Sequence, residues 1–259
     1  METPAPFRSK LNRFSRTAYE AFLAKAKERG YSYVCFREFL PGAPPRPDRY
    51  IVLRHDIDFA PEFSLEMAEI EHAAGVRSTY FVLMDGQFYN PLRSEVIRLL
   101  RRIHALGHEI GLHFAVGTAL ESDIGQEIAL RSDVLARVVG APVRSFSQHD
   151  PVNAGVISVA VPPECPTSVD ASQVIRDNHL LYVSDSAMMW RRHTFSSALD
   201  EDRNLCLLAH PHSWLHPQTD YVAMIRDLEA LQLQTVTEPF DSFVSALSGY
   251  YARRLDEGI

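Results

Sequence analysis

The feature that most restricts how this chain can fold is a repeated alternation, starting near residue 50, of short apolar runs with longer amphipathic ones. YIVLRHDI, STYFVLM, HEIGLHF and PVRSFSQ have the apolar and β-branched content of strands. Between them, PEFSLEMAEIEHAAG, PLRSEVIRLLRRIHALG and SDIGQEIALRSDVLARVVG carry apolar residues at helical spacing and end in glycine. Repeated βα units of this length predict an α/β fold with a parallel sheet or a barrel. Between about residues 150 and 190 the pattern weakens. LLYVSDS and NLCLLAH then supply further strands, and TDYVAMIRDLEALQLQ a closing helix.

Ahead of this body, RTAYEAFLAKAKERG predicts a helix and YSYVCF a strand, and the Pro- and Gly-dense LPGAPPRPD predicts a loop. The expected organisation is therefore a helix-strand preface and loop over 1–49 and a barrel over 50–259, together one compact domain. At 259 residues and 46% hydrophobic content, a sizeable core is expected.

Charge and composition exclude some roles. A formal net charge of −7, with no basic stripe, argues against a nucleic-acid partner. METPAPFRSK lacks the apolar core of a secretory signal, and no run of about 18 apolar residues occurs, so a soluble cytoplasmic protein with no integral membrane segment is expected. Cys35, Cys165 and Cys206 are odd in number and far apart, and read as reduced and structural.

In a parallel α/β architecture chemistry collects at the carboxyl ends of strands, so the residues that close the apolar runs are the candidates. In VLRHDID, Asp56 and Asp58 are two residues apart and point to the same side of an extended strand. Such a pair suits one metal ligand and one general base, because a nearby cation relieves the repulsion between the carboxylates; a salt bridge to Arg54 or a helix cap is the structural alternative. In GHEIGLHF the backbones of His108 and His113 stand roughly 16 Å apart along a regular strand, so both cannot bind one ion. His113 lies at the carboxyl end and is the candidate ligand, whereas His108 belongs with the helix-to-strand turn. His149, just past SFSQ, is a further candidate ligand. His210 closes NLCLLAH and is placed to protonate a leaving amine, with His212 as the other candidate for that task.

The ordered set of Asp pair, STYFV strand, GHEIGLH, SFSQH loop and LLAH, over about residues 50 to 215, resembles the polysaccharide deacetylase family, also called the NodB-homology group or carbohydrate esterase family 4. RHDID and GHEIGLHF are most similar to its WbmS-like branch, associated with O-antigen biosynthesis. The resemblance implies a distorted (β/α) barrel of seven parallel strands and a divalent metal, zinc first and Co2+, Ni2+, Mn2+ or Fe2+ as alternatives. It implies Asp58 as the metal aspartate, His113 as the first histidine ligand, Asp56 as the base and His210 as the acid; His149, at its strand's carboxyl end, is the candidate for the remaining ligand. The substrate implied is an N-acetylated sugar or oligosaccharide, free or linked to a nucleotide or lipid. Arg54, Asp185 and Trp190 are assigned to the substrate side, Asp185 also as a partner orienting His210 and Trp190 as a wall for the sugar ring.

The chain departs from the family pattern in three places. Ile57 separates the two aspartates, so their roles could be exchanged; Gly117 stands where a second histidine follows His113; and Arg144 precedes its strand rather than following it. Two other readings stay open: a deformylase or other C–N hydrolase on the same site, and a non-catalytic carbohydrate-binding or scaffold protein.

Overall fold

A computed structural model of the chain describes residues 14–115, 124–149 and 168–256. It divides into two compact units, Met1–Thr219 and Asp220–Ile259. In chain order the first contains α1 (Arg16–Glu28), β1 (Ser32–Val34), β2 (Tyr50–Ile57), α2 (Pro61–Ala73), β3 (Thr79–Leu83), α3 (Ser94–Ala105), β4 (Glu109–Phe114), α4 (Ile124–Val139) and β5 (Ser145–Gln148). There follow β6 (Val169–Asp170), α5 (Ala171–Asp177), β7 (Leu181–Ser184), α6 (Phe195–Ala198), β8 (Leu205–Leu208) and α7 (Pro211–Leu215). The second unit contains α8 (Tyr221–Asp256). Gly117 and Cys165, which figured in the sequence reading, lie outside the described residues; Cys35 and Cys206 are buried free thiols.

Seven strands run in the order β6-β5-β4-β3-β2-β8-β7, with every neighbouring pair parallel, and β1 joins as an eighth by pairing with β2. The seven curl into a half-barrel flanked by helices, a parallel α/β body as the alternation predicts and the distorted (β/α) barrel that the resemblance implies. β1, from the stretch read as a preface, is thus part of this sheet. Local signals account for the helix starts: Ser15 accepts from Ala18 N–H to cap α1, proline opens α2 and α7, and Thr194 forms a capping box with Ser197 ahead of α6. Among the described residues no helix is long and apolar enough to cross a membrane.

Alternation along the strands sorts side chains into two layers. Ile57, Tyr80, Val82, Ile110, Leu112 and Phe146 join residues of α2, α3 and α4 in the outer core between sheet and helices. Val52, Phe81 and Cys206 belong to a second cluster. On β2 the members of this second face continue as Arg54 and Asp56, so one strand carries apolar floor and polar mouth in sequence. Gly111 shows how tightly that floor is filled: a Cβ there would lie 2.6 Å from the Phe81 ring and 2.7 Å from Ser145 Oγ. Gly111→Ala is expected to destabilise the protein by about 1–3 kcal/mol through overpacking, read as a lower chemical-denaturation midpoint with an unchanged slope.

Two regions differ from the sequence reading. The weak stretch before LLYVSDS contains β6 and α5, too short to register as periodic runs; Asp170 caps α5 by accepting from Ser172 N–H. The closing helix runs on to Asp256 through Pro239, and Phe240, Phe243, Val244 and Leu247 continue the helical spacing beyond the proline.

Candidate active site

Register brings the candidate residues to one level. Arg54 pairs with Leu208, so Asp56 and His210, each two residues further on, leave their strands side by side on the same face. His113 pairs with both Leu83 and Ser147, which sets His149, two residues past Ser147, beside the His113 ring. The turn after β2 is tight: Ala60 adopts a left-handed φ of 34° immediately before Pro61, a strained conformation for a residue with a Cβ. Asp58 lies at the start of this turn.

Asp58, His113 and His149 converge. His113 Nε2 lies 3.2 Å from His149 Nδ1 and 3.7 Å from Asp58 Oδ1, and His149 Nδ1 lies 3.4 Å from that same oxygen. Tetrahedral ligands at zinc bond lengths of about 2.0–2.2 Å stand roughly 3.3–3.6 Å apart, so the triangle has the dimensions of three ligands around one such ion. Its chemistry fits as well. Asp58 Oδ1 is buried without a hydrogen-bond partner, an expensive arrangement unless a cation satisfies it. His113 Nδ1 donates to the Ser147 carbonyl at 2.9 Å, which leaves the Nε2 lone pair directed at the triangle, and burial lowers the ring's proton affinity so that it is neutral. His149 is held through its backbone N–H, which donates to the Phe114 carbonyl at 2.8 Å.

Asp56 faces the triangle without being part of it, its Oδ2 3.4 Å from His113 Nε2. Arg54 Nη2 donates to both Asp56 oxygens at 2.7 Å, Arg54 Nε to Oδ1 at 3.1 Å, and Nη2 also to Ser147 Oγ at 2.7 Å. The guanidinium lies over the Phe81 ring, 4.9 Å from its centroid. Burial alone would raise the Asp56 pKa, but the Arg54 charge, helped by His113, outweighs it and holds the carboxyl below the usual range. Asp56 is therefore a carboxylate of fixed orientation.

On the other side of Asp58, His210 Nε2 stands 3.6 Å from Asp58 Oδ2. Its Nδ1 is bonded to Asp185 Oδ1 at 2.5 Å, its backbone N–H donates to Asp185 Oδ2 at 2.9 Å, and Trp214 Nε1 donates to the same Oδ2 at 2.7 Å. Burial disfavours a charged ring, but Asp185, then Asp58 and Asp56, override it and push His210 up to about 9. His212, the alternative proton donor, is pushed down to about 4 by burial and by His210 beside it. Of the two, only His210 carries a proton to give at neutral pH.

Other residues singled out in the sequence take different places. Arg54 and Asp185, assigned to the substrate side, are 5% and 0% exposed and are committed to Asp56 and His210. Trp190 stacks on Phe14 and meets Phe195 and Trp214 in an aromatic cluster. His108 is buried at the far end of β4, where it bonds Ser78 and the Ala68 carbonyl. The roles of Ser147 and Trp214 were not anticipated, nor was an aromatic pair beside Asp58: Phe59 packs on Phe88, ring centroids 4.5 Å apart, and edge-on against His212, with Phe88 46% exposed. The one available signal was adjacency, Phe59 following Asp58 and Trp214 following His212 by two.

No protein-family model matches the chain, and no curated protein sequence matches it. Solved structures similar to it include a deacetylase from Streptococcus pyogenes in complex with acetate (10% identity, 88% of this chain and 93% of that one, TM-score 0.45). They also include the chitin deacetylase of the fungal pathogen Colletotrichum lindemuthianum (15% identity, 70% and 81%, TM-score 0.41). A third is a CE4 family pseudoenzyme from Bacillus anthracis (16% identity, 70% of this chain, TM-score 0.40), of whose length the chain spans 60%.

Proposed function

We propose that this protein is a metal-dependent hydrolase that removes the acetyl group from an N-acetylated sugar. The observation that carries the reading is the triangle of Asp58, His113 and His149, with a fixed carboxylate on one side and a protonated imidazole on the other. Asp58, His113 and His149 would hold a divalent ion, zinc first, which would supply Lewis acidity to the reaction. Asp56, oriented by Arg54, takes the proton of the water whose oxygen attacks the carbonyl carbon. As the C–N bond breaks, His210 gives its Nε2 proton to the departing amine nitrogen, and acetate remains. The Phe59–Phe88 pair offers an apolar rim for the C–H face of the sugar ring. In its finer form, supported by the likeness of RHDID and GHEIGLHF to the O-antigen branch, the substrate is a nucleotide- or lipid-linked sugar destined for a bacterial surface polysaccharide.

Metal analysis of the purified protein and of Asp58→Ala, His113→Ala and His149→Ala, paired with acetate release from N-acetylglucosamine oligomers and a nucleotide-linked N-acetyl sugar, tests this. One equivalent of metal in the parent, lost in each variant together with acetate release, is the expected result. A parent that holds no metal after reloading with zinc overturns the reading. Formate release from N-formyl sugars in place of acetate release would keep the site and change the acyl group.

A further inference from the structure

Directly behind the site, on the opposite face of β2, lies a buried polar cluster that the reaction as described does not use. His55, between Arg54 and Asp56, is wholly buried, as is Glu71 of α2. His55 Nε2 lies 2.7 Å from Glu71 Oε1, and His55 Nδ1 lies 2.9 Å from the Ala209 carbonyl oxygen. Both ring nitrogens face oxygens that accept, a carboxylate and a backbone carbonyl. Glu71 also accepts from the hydroxyls of Tyr19, Ser78 and Tyr80. Burial works to raise the Glu71 pKa, but His55 above all, with His108 and Tyr19, brings it down to about 2.

The contact with Ala209 is the consequential one. The carbonyl of Ala209 and the N–H of His210 are two ends of the same planar peptide unit. One end accepts from His55 and the other donates to Asp185, while Ala209 N–H donates to the Arg54 carbonyl at 3.0 Å. Residues 54 and 55 therefore hold the backbone that carries His210, while the Arg54 side chain holds Asp56. A buried ion pair contributes little net stability compared with apolar residues of the same volume, so stability alone is a weak reason for this one.

We infer that the buried His55–Glu71 pair is a positioning device: by gripping the Ala209 carbonyl it sets the His210 imidazole relative to Asp58 and Asp56, and so tunes proton delivery. The inference rests on the reading of His210 as the proton donor. The competing role is purely structural, with His55 there only to satisfy Glu71 and tie α1, α2 and β3 to the sheet.

Two conservative replacements separate these roles, because each keeps one of the two bonds. The amide nitrogen of His55→Asn occupies the place of Nδ1 and keeps the bond to Ala209. That of His55→Gln occupies the place of Nε2 and keeps the bond to Glu71. Each variant is matched for metal content and assayed for thermal midpoint, for kcat and KM on N-acetylglucosamine oligomers, and for the side-chain 15N NMR signal of His210. The positioning role gives His55→Gln a near-parental midpoint and KM, a kcat about 10- to 100-fold lower, and a shifted or broadened His210 signal. His55→Asn is less stable, yet recovers most of kcat and the parental His210 signal. The structural role gives the reverse order, with activity following stability and the His210 signal unmoved in His55→Gln; that result overturns the inference. Should His55→Gln fail to fold, Glu71→Gln decides instead. It breaks the pair that holds the His55 ring against the Ala209 carbonyl, so a shifted or broadened His210 signal is expected, and an unmoved signal overturns the inference. The NMR arm needs no substrate, so a parent that releases no acetate counts against the proposed function alone.

Discussion

Replacing Arg54 with methionine is expected to lower the thermal midpoint by on the order of 10 °C, the equivalent of about 3–5 kcal/mol for a chain of this size. The cause is the carboxylate left behind. Asp56 is buried beside Asp58, and Arg54 supplies three of the contacts that hold it, all at 3.1 Å or less. Without the guanidinium, Asp56 must either stay charged and unpaired in a dry environment or take up a proton and lose its capacity as a base. Acetate release is thus lost along with stability. The double variant Arg54→Met with Asp56→Leu removes both charges and is expected to recover most of the midpoint while remaining inactive. If the double variant is as unstable as Arg54→Met alone, packing of Arg54 on Phe81, rather than the buried charge, holds this part of the barrel together.

Asp185→Asn is expected to lower kcat by about 10²- to 10³-fold, with KM and metal content unchanged. Asp185 accepts from the Nδ1 and backbone N–H of His210 and from the Trp214 indole, and none of these groups apart from the imidazole nitrogen can accept in return. An asparagine therefore turns its NH2 toward Nδ1, which must then present a lone pair. The ring keeps its Nε2 proton but loses its positive charge, and a neutral imidazole is a far poorer acid. A kcat within three-fold of the parent would show that the proton reaches the amine from another group. A loss of metal in the same variant would place the effect on Asp58 instead, whose Oδ2 faces His210 Nε2 at 3.6 Å.

Much of this site was legible in one dimension because it obeys the two-residue period of a strand. The spacing of Asp56 and Asp58, His113 at the end of HEIGLHF, His149 just past SFSQ and His210 at the end of NLCLLAH all follow from asking which residues leave a strand at its carboxyl end on the inner face. His108 was separable from His113 on the length of β4 alone. Arg54 was harder: the sequence admits a salt bridge to Asp56 or a role toward substrate, and burial at 5% commits it to the salt bridge. Trp190 could not be placed either, since its partners Phe14, Phe195 and Trp214 come from three other segments.

What the sequence determined by itself is therefore the periodic part: a parallel α/β body, the order of its strands along the chain, and the set of polar residues that close them. Those properties depend on backbone periodicity and on burial, which act over a few neighbouring residues. What only the tertiary structure decided is which of those residues meet. Arg54 with Ser147, Asp185 with His210 and Trp214, and His55 with Glu71 and Ala209 are contacts between residues 16 to 154 apart along the chain. Such contacts depend on the lateral order of the strands, on their register and on the curl of the sheet, and a hydrophobic pattern read along one strand carries no information about the strand beside it.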